Sequence, residues 1–247
     1  MSELLGRIHS VETCGAFDGP GLRFIIFMQG CLMRCKYCHN RDSWDEDIGQ
    51  QLTVEQLMAQ IRTYKQFFKF SGGGVSVSGG EPVLQAPFVT ELFKACKAEG
   101  IHTCLDTNGF VRNHNQTIDD LLAVTDLVLL DLKQMNREIH RDLTKVSNRY
   151  AIAFAQHLAQ INKPTWIRYV IVPGYSDDEA SAKLLAEFIA PMPNIERLEL
   201  LPYHDTGSYK WLQYNDTYEL ADTKPPSQES LDNLAQLFQS YNLTVVI

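Results

Sequence analysis

Three cysteines crowd one short loop: Gly30-Cys31-Leu32-Met33-Arg34-Cys35-Lys36-Tyr37-Cys38-His39-Asn40. Thiolates at C-x3-C-x2-C spacing can wrap one side of a small inorganic cube. A cubane iron–sulfur cluster ordinarily takes four cysteine ligands, so three leave one iron open to bind a ligand and pass it an electron. A closed Cys3His zinc site on Cys31, Cys35, Cys38 and His39 is the competing reading. It suffers because His39 directly follows Cys38 and no second half-site is evident. Unligated buried thiols fit poorly, since Arg34, Lys36, His39 and Asn40 make the loop polar. Cys96 and Cys104 read as small buried hydrophobes, and Cys14 lies in the polar stretch Thr13-Cys14-Gly15.

Other polar residues sit where a shared site would need them. Gly79-Gly80-Glu81 follows an apolar run, Asp106 and Asp131 end two further runs, and Lys133, Arg168 and His204 lie in or just after others. Each has an ordinary meaning taken singly: a turn before Pro82, a helix-capping acid, a structural histidine. Their recurrence at one kind of place is the informative pattern.

The elements that position them alternate between strand-like and helix-like patterns. Strands are expected at residues 22–29, 74–78, 102–107, 126–131, 165–172 and 195–201, with a last one at 244–247. Helices are expected at 53–68 (Thr53 as N-cap), 88–98, 118–124, 151–161, 177–189 and 228–241. A Tyr-rich loop fills the chain after residue 201. Such alternation argues for parallel βαβ units, whose working ends are the carboxyl ends of the strands. Six main units are too few for a closed eightfold barrel. The expected fold class is α/β, an open partial (β/α)6 TIM-like barrel forming a single domain over residues 1–247 with short terminal extensions. A doubly wound sheet is the alternative.

The chain has 247 residues, 45% of them hydrophobic, enough for a large core. A net charge of −8 argues against a bulk basic face for nucleic acid. No apolar run approaches membrane-spanning length, and Glu3, Arg7 and His9 interrupt the N-terminal segment. A cytoplasmic protein without nucleic-acid or membrane partners is expected.

The cysteine loop, with an aromatic residue before its last cysteine, resembles the signature of the radical S-adenosylmethionine (AdoMet) superfamily. Ser78-Gly79-Gly80-Glu81-Pro82 resembles that family's GGE motif. Further stretches, Gly6–Ser10, Asp18–Phe24, Leu105–Phe110, Asp131–Met135, Trp166–Tyr169 and Leu200–His204, resemble its glycyl-radical activases in particular. The resemblance implies a [4Fe-4S] cluster on Cys31, Cys35 and Cys38. Its open iron would chelate AdoMet, and one electron would cleave AdoMet to a 5′-deoxyadenosyl radical that abstracts hydrogen from a backbone glycine. The cluster and AdoMet carry the chemistry, so no side-chain acid or base is expected.

The resemblance also places residues around the cofactor. Tyr37, Cys38 and His39 come from the loop, and Gly79, Gly80 and Glu81 hold the methionyl amino group. Asp106, Asp131, Leu132, Lys133, Arg168 and His204 complete the surroundings, with Lys133 near the AdoMet carboxylate and a monovalent cation beside Asp106 and Asp131. Asp18 would face the partner's glycine loop. Pyruvate formate-lyase is the implied protein substrate, and reduced flavodoxin or ferredoxin the implied electron donor. No cysteine lies between Cys38 and Gly79, so a single cluster is expected. A radical AdoMet enzyme acting on a small molecule or on another glycyl-radical enzyme, and a zinc-binding interaction module, remain as alternatives.

Overall fold

The computed structural model describes residues 4–247; the first three residues of the N-terminal segment read above lie outside the described residues. Two compact units account for the chain. The first comprises residues up to 32 together with 43–107 and 111–129. The second comprises 33–42, 108–110 and 130–247.

The first unit opens with β1 (Leu5–Gly15), which pairs antiparallel with β2 (Arg23–Met28) and β3 (Gln50–Thr53). The sequence pattern does not show β1. Two register shifts, between Ile8 and Ser10 and between Glu12 and Gly15, break its period-two alternation. Thr53 caps α1 (Val54–Ile61) in a reciprocal capping box with Gln56, as expected. The single helix expected over 53–68 is interrupted, and α2 (Lys65–Ser71) follows a 3-10 turn at Arg62–Tyr64. The Thr63 hydroxyl donates to the Gln60 carbonyl at 2.7 Å, a back-bond that bends helices.

Strand β4 (Gly74–Gly79) is parallel to β2, with Met28 opposite Gly79, so the loops after both strands leave the same end. After α3 (Ala86–Ala98), β5 (His102–Thr107) pairs parallel with β4. The unit ends with α4 (Gln116–Ala123), capped by Asn115, and the start of β6 (Leu127–Asp131).

Arg23 is the least expected core residue: its side chain is 0% exposed on an otherwise apolar strand. Its guanidinium donates to the Ser76 hydroxyl at 2.9 Å, the Val75 carbonyl at 2.5 Å and the Pro20 carbonyl at 3.3 Å. Burial lowers its pKa, but these partners keep the group satisfied. Ser76 in turn donates to the Asp18 carbonyl at 2.5 Å. Arg23 thus ties the Asp18-Gly19-Pro20-Gly21 turn to the sheet.

The second unit takes the end of β6, then α5 (Arg137–Thr144), α6 (Arg149–Gln160), β7 (Thr165–Ile171), α7 (Glu179–Ile189) and β8 (Ile195–Pro202). A short α8 (Ser208–Gln213), α9 (Gln228–Ser240) and β9 (Val245–Val246) complete it. Strands β7, β8 and β9 pair parallel in that order. α5 escapes the apolar pattern because only His140, Leu143 and Thr144 of its eight residues are buried. Its signal is the cap: Asn136 accepts from the backbone amides of Glu138 and Ile139. α8 hides in the Tyr-rich loop because it is six residues long and buries only Trp211.

His140, 1% exposed, bonds through Nδ1 with the Val146 carbonyl at 3.0 Å, and burial lowers its pKa to about 4. Below about pH 6.5 an unfolded histidine takes up a proton that the folded one refuses. Stability therefore falls as pH drops from about 6.5 toward 4, by up to roughly 1.4 kcal/mol per pH unit. Urea midpoints measured from pH 7.5 to pH 4.5 should fall in the wild type and fall less steeply in His140→Gln.

Candidate active site

The cysteine loop leaves β2 and is anchored by backbone in each unit. In the first, Gly30 N donates to the Ser43 carbonyl at 2.8 Å and Cys31 N to the Trp44 carbonyl at 3.3 Å. In the second, Arg34 N donates to the Thr144 carbonyl and Lys36 N to the Leu143 carbonyl, both at 2.9 Å. These are carbonyls at the C-terminal end of α5, which a helix leaves unsatisfied. The loop side chains divide by direction. Lys36, 7% exposed, sends its ammonium to Asp142, Glu219 and the Tyr175 hydroxyl at 2.9–3.0 Å. Burial opposes that charge, but the three partners raise its pKa above the ordinary lysine value.

Cys35 and Tyr37 are buried beside Asp131 and Lys133. The Lys133 ammonium pairs with Asp131 at 2.8 Å and lies 5.3 Å from the Tyr37 ring centroid. Burial pushes the bare Cys35 thiol up to about 12. Burial opposes the Lys133 charge too, yet Asp131, Tyr37 and Cys35 hold its pKa well above the ordinary value. A thiol with a firmly held cation beside it suits a site that must accommodate a coordinated thiolate.

Residues 203–216 close over the other end of the loop. Trp211 Nε1 donates to the Cys38 carbonyl at 3.0 Å, Lys210 pairs with Asp42 at 2.9 Å, and Arg41 pairs with Asp216 at 2.5 Å. His39 Nε2 meets the His204 carbonyl at 2.9 Å, and the two imidazoles stack with centroids 4.1 Å apart. A Cβ on Gly207 would lie 2.5 Å from His39 Cα, so only glycine permits this approach. Sequence reasoning found His204 but missed Trp211, Lys210 and Lys36.

In the first unit the Gly79-Gly80-Glu81 turn packs on its own backbone. Gly80 N donates to the Met28 carbonyl at 2.9 Å and Glu81 N to the Gly30 carbonyl at 2.7 Å. Glu81, 1% exposed, accepts from Val83 N at 3.1 Å and the Thr107 hydroxyl at 2.6 Å. A Cβ on Gly80 would stand 2.1 Å from the Gly30 carbonyl oxygen. The glycine is therefore required first by the chain beside Cys31, a reason the sequence did not supply. Gly80→Ala should accordingly lower iron and sulfide content after anaerobic reconstitution as well as AdoMet affinity. Full cluster content with weakened AdoMet binding would instead assign the glycine to the cofactor alone.

The acids already have partners. Asp106 accepts from the Ser78 hydroxyl at 2.6 Å, and Asp131 is paired with Lys133. Arg168 pairs with Glu199, its β8 neighbour, at 3.5 Å, and its carbonyl accepts from Leu132 N at 3.1 Å. Its guanidinium is therefore engaged by Glu199, while its backbone joins Leu132.

No two of the six cysteines are joined in a disulfide; Cys31 and Cys35 are buried and Cys38 half-buried. Among the described residues no group of three His, Cys, Asp or Glu side chains is gathered for a single metal ion. A cubane spreads its thiolates over separate irons, so its ligands stand farther apart than those of one ion. His39, stacked and bonded to His204, is committed elsewhere than to a Cys3His zinc site. This donor set fits the cluster.

Residues 25–185 match the Radical SAM superfamily. The chain belongs to that superfamily and, within it, to the family of the pyruvate formate-lyase-activating enzymes. It is 56% identical over 243 residues to the pyruvate formate-lyase 1-activating enzyme of Escherichia coli K12, covering 98% of this chain and 99% of that protein. It is 47% identical over 233 residues to the pyruvate formate-lyase-activating enzyme of Listeria monocytogenes, covering 93% and 94%. The crystal structure of a domain of the Bacteroides vulgatus pyruvate-formate lyase-activating enzyme superposes with a TM-score of 0.60 at 31% identity, covering 71% of this chain and 98% of that one. A radical SAM methyltransferase from Sphaerobacter thermophilus shares the fold over 99% of this chain and 76% of its own, with a TM-score of 0.63 at 16% identity. The fold is the open α/β arrangement expected of radical AdoMet proteins, and the zinc-module reading falls.

Proposed function

We propose that this chain activates pyruvate formate-lyase by placing a radical on one of that enzyme's backbone glycines. The observation that carries the reading is the 56% identity to an activating enzyme over 98% of the chain. When bound, the cluster and AdoMet supply a one-electron cleavage whose 5′-deoxyadenosyl radical takes a hydrogen atom from that glycine.

The chain's own residues bind and position. Cys31, Cys35 and Cys38 are the cluster ligands, and the α5 carbonyls and the Lys36 ion pairs fix their loop. Lys133, paired with Asp131, would also meet the AdoMet carboxylate. Gly79 and Gly80 shape the turn that receives the methionyl amino group, and Arg168 holds Leu132 through its carbonyl. Asp18, fastened through Ser76, faces the partner's glycine loop. The reading keeps a monovalent cation beside Asp106 and Asp131, with Ser78 and Lys133 as their present partners. It takes the whole chain as one catalytic domain, places it in the cytoplasm and gives it reduced flavodoxin or ferredoxin as electron donor. In support of the location, no helix among the described residues is long and apolar enough to cross a membrane.

The test mixes the reconstituted protein, dithionite, AdoMet and pyruvate formate-lyase without oxygen. A glycyl-radical signal in electron paramagnetic resonance should appear together with one 5′-deoxyadenosine per radical. Deoxyadenosine without a radical on that partner, while another glycyl-radical enzyme or a small metabolite is converted, would overturn the substrate assignment.

A further inference from the structure

One cleft stands apart from the acidic balance of this chain. Phe110, Arg137, Arg141, Lys145, Arg149 and Tyr150 line a cavity of about 300 Å³ in the second unit, and no acid contributes to its lining. Arg137 and Arg141 stand four apart on one face of α5, and Lys145 follows at its end in a left-handed conformation. Arg149 opens α6 and lies with its guanidinium 4.4 Å from the Tyr150 ring centroid, while Tyr150 packs edge-on against Phe110 at 4.9 Å. The four cations are exposed. Lys145 is partly answered by Asp142 at 3.7 Å and Glu219 at 3.6 Å, and Asp142 is itself drawn toward Lys36. Glu138 is the other acid on α5. In a chain of 30 acidic and 22 basic residues, four cations around one acid-free cleft are a local reversal of sign.

The position of the cleft gives that reversal a use. The C-terminal carbonyls of α5, at Leu143 and Thr144, hold the backbone amides of Lys36 and Arg34. One short helix therefore carries the cations and grips the loop that bears Cys35 and Cys38. A small-anion pocket would sink its charged donors out of solvent. Here the cations stay wet and widely displayed, the arrangement that steers a large partner of opposite charge.

We infer that this basic cleft is the docking surface for an acidic, low-potential, one-electron donor protein. The inference rests on the function proposed above, which requires one electron for each AdoMet cleaved. The donor is oxidised by one electron and the cluster reduced by one. The half-buried Tyr150, backed by the buried Phe110, gives the contact a small apolar centre within a basic rim, and the α5 face sets the donor beside the cysteine loop.

The experiment measures the affinity of the reconstituted protein for oxidised flavodoxin and oxidised ferredoxin by fluorescence anisotropy, at several salt concentrations. Arg137→Glu/Arg141→Glu should weaken binding of at least one of them about tenfold or more and flatten its salt dependence. Lys69→Glu/Lys94→Glu changes net charge equally on exposed helices of the other unit and should leave the affinity unchanged. A thermal midpoint identifies a variant that has not folded; Arg141→Gln then serves in its place, with a smaller loss expected. With dithionite as the reductant, the Arg137→Glu/Arg141→Glu protein should form glycyl radical at the wild-type rate. Wild-type affinity for both donors in the double variant would overturn the inference, as would an equal loss of the dithionite-driven reaction. Absence of radical from wild-type protein with dithionite would fault the proposed function and not the docking surface.

Discussion

Cys35→Ala should give a folded protein that assembles no [4Fe-4S] cluster and cleaves no AdoMet. The substitution removes one small side chain from a loop held mainly by backbone: Arg34 and Lys36 amides on the α5 carbonyls, and Lys36 on Asp142 and Glu219. The fold should survive because none of those anchors uses the thiol. Cluster assembly should not, because two thiolates cannot hold a cube that already lacks a fourth cysteine. Cys96→Ala is the matched control. Its thiol is also buried but lies 3.7 Å from Met58 Sδ, among apolar neighbours. It should cost roughly 1 kcal/mol of stability and leave cluster content intact. Iron and sulfide analysis, with 5′-deoxyadenosine measured by chromatography, decides both. A Cys35→Ala protein with full cluster content would remove that residue from the ligand set.

The largest loss of stability should follow Arg23→Ala. The truncation opens a cavity at a fully buried position and leaves the Val75 carbonyl and Ser76 hydroxyl without their donor. Cavity and unsatisfied polar groups together cost about 3–5 kcal/mol. Arg23→Lys should recover only part of this, because a single ammonium cannot reach partners spread across a guanidinium fork. Urea denaturation gives the comparison. A loss below about 1 kcal/mol would show that water replaces the guanidinium without penalty. The function should suffer as well, since the Asp18 turn hangs on the same network through Ser76.

What the sequence disclosed depended on how each feature is encoded. The parallel core strands are short apolar runs between turn residues, and β4, β5, β6 and β7 lie where their patterns place them. The cysteine loop and Gly-Gly-Glu turn were legible because their chemistry is local in sequence. β1 was not, since its bulges break the alternation, and α5 was not, since its buried side carries only three residues. Contacts between distant residues were invisible for a plainer reason. Nothing in Lys36 announces Glu219, and nothing in Trp211 announces the Cys38 carbonyl. Arg168 and Gly80 were found by position, but the pairing of Arg168 with Glu199 and the close approach of Gly80 to Gly30 appear only in three dimensions.

The strap formed by residues 203–216 has a consequence for the order of events at the ribosome. Trp211 grips Cys38 across 173 positions of chain. At about 5–20 residues per second, that interval amounts to roughly 10–35 s of synthesis. During that time all three thiols have been made, but the segment that closes over Cys38 and His39 has not. The cysteines thus lack that cover until residues 203–216 have been added. The order of the residues thus separates the making of the three thiols from their closure, and a chain cut before Gly207 would keep all three cysteines and lose the Trp211 and Lys210 contacts.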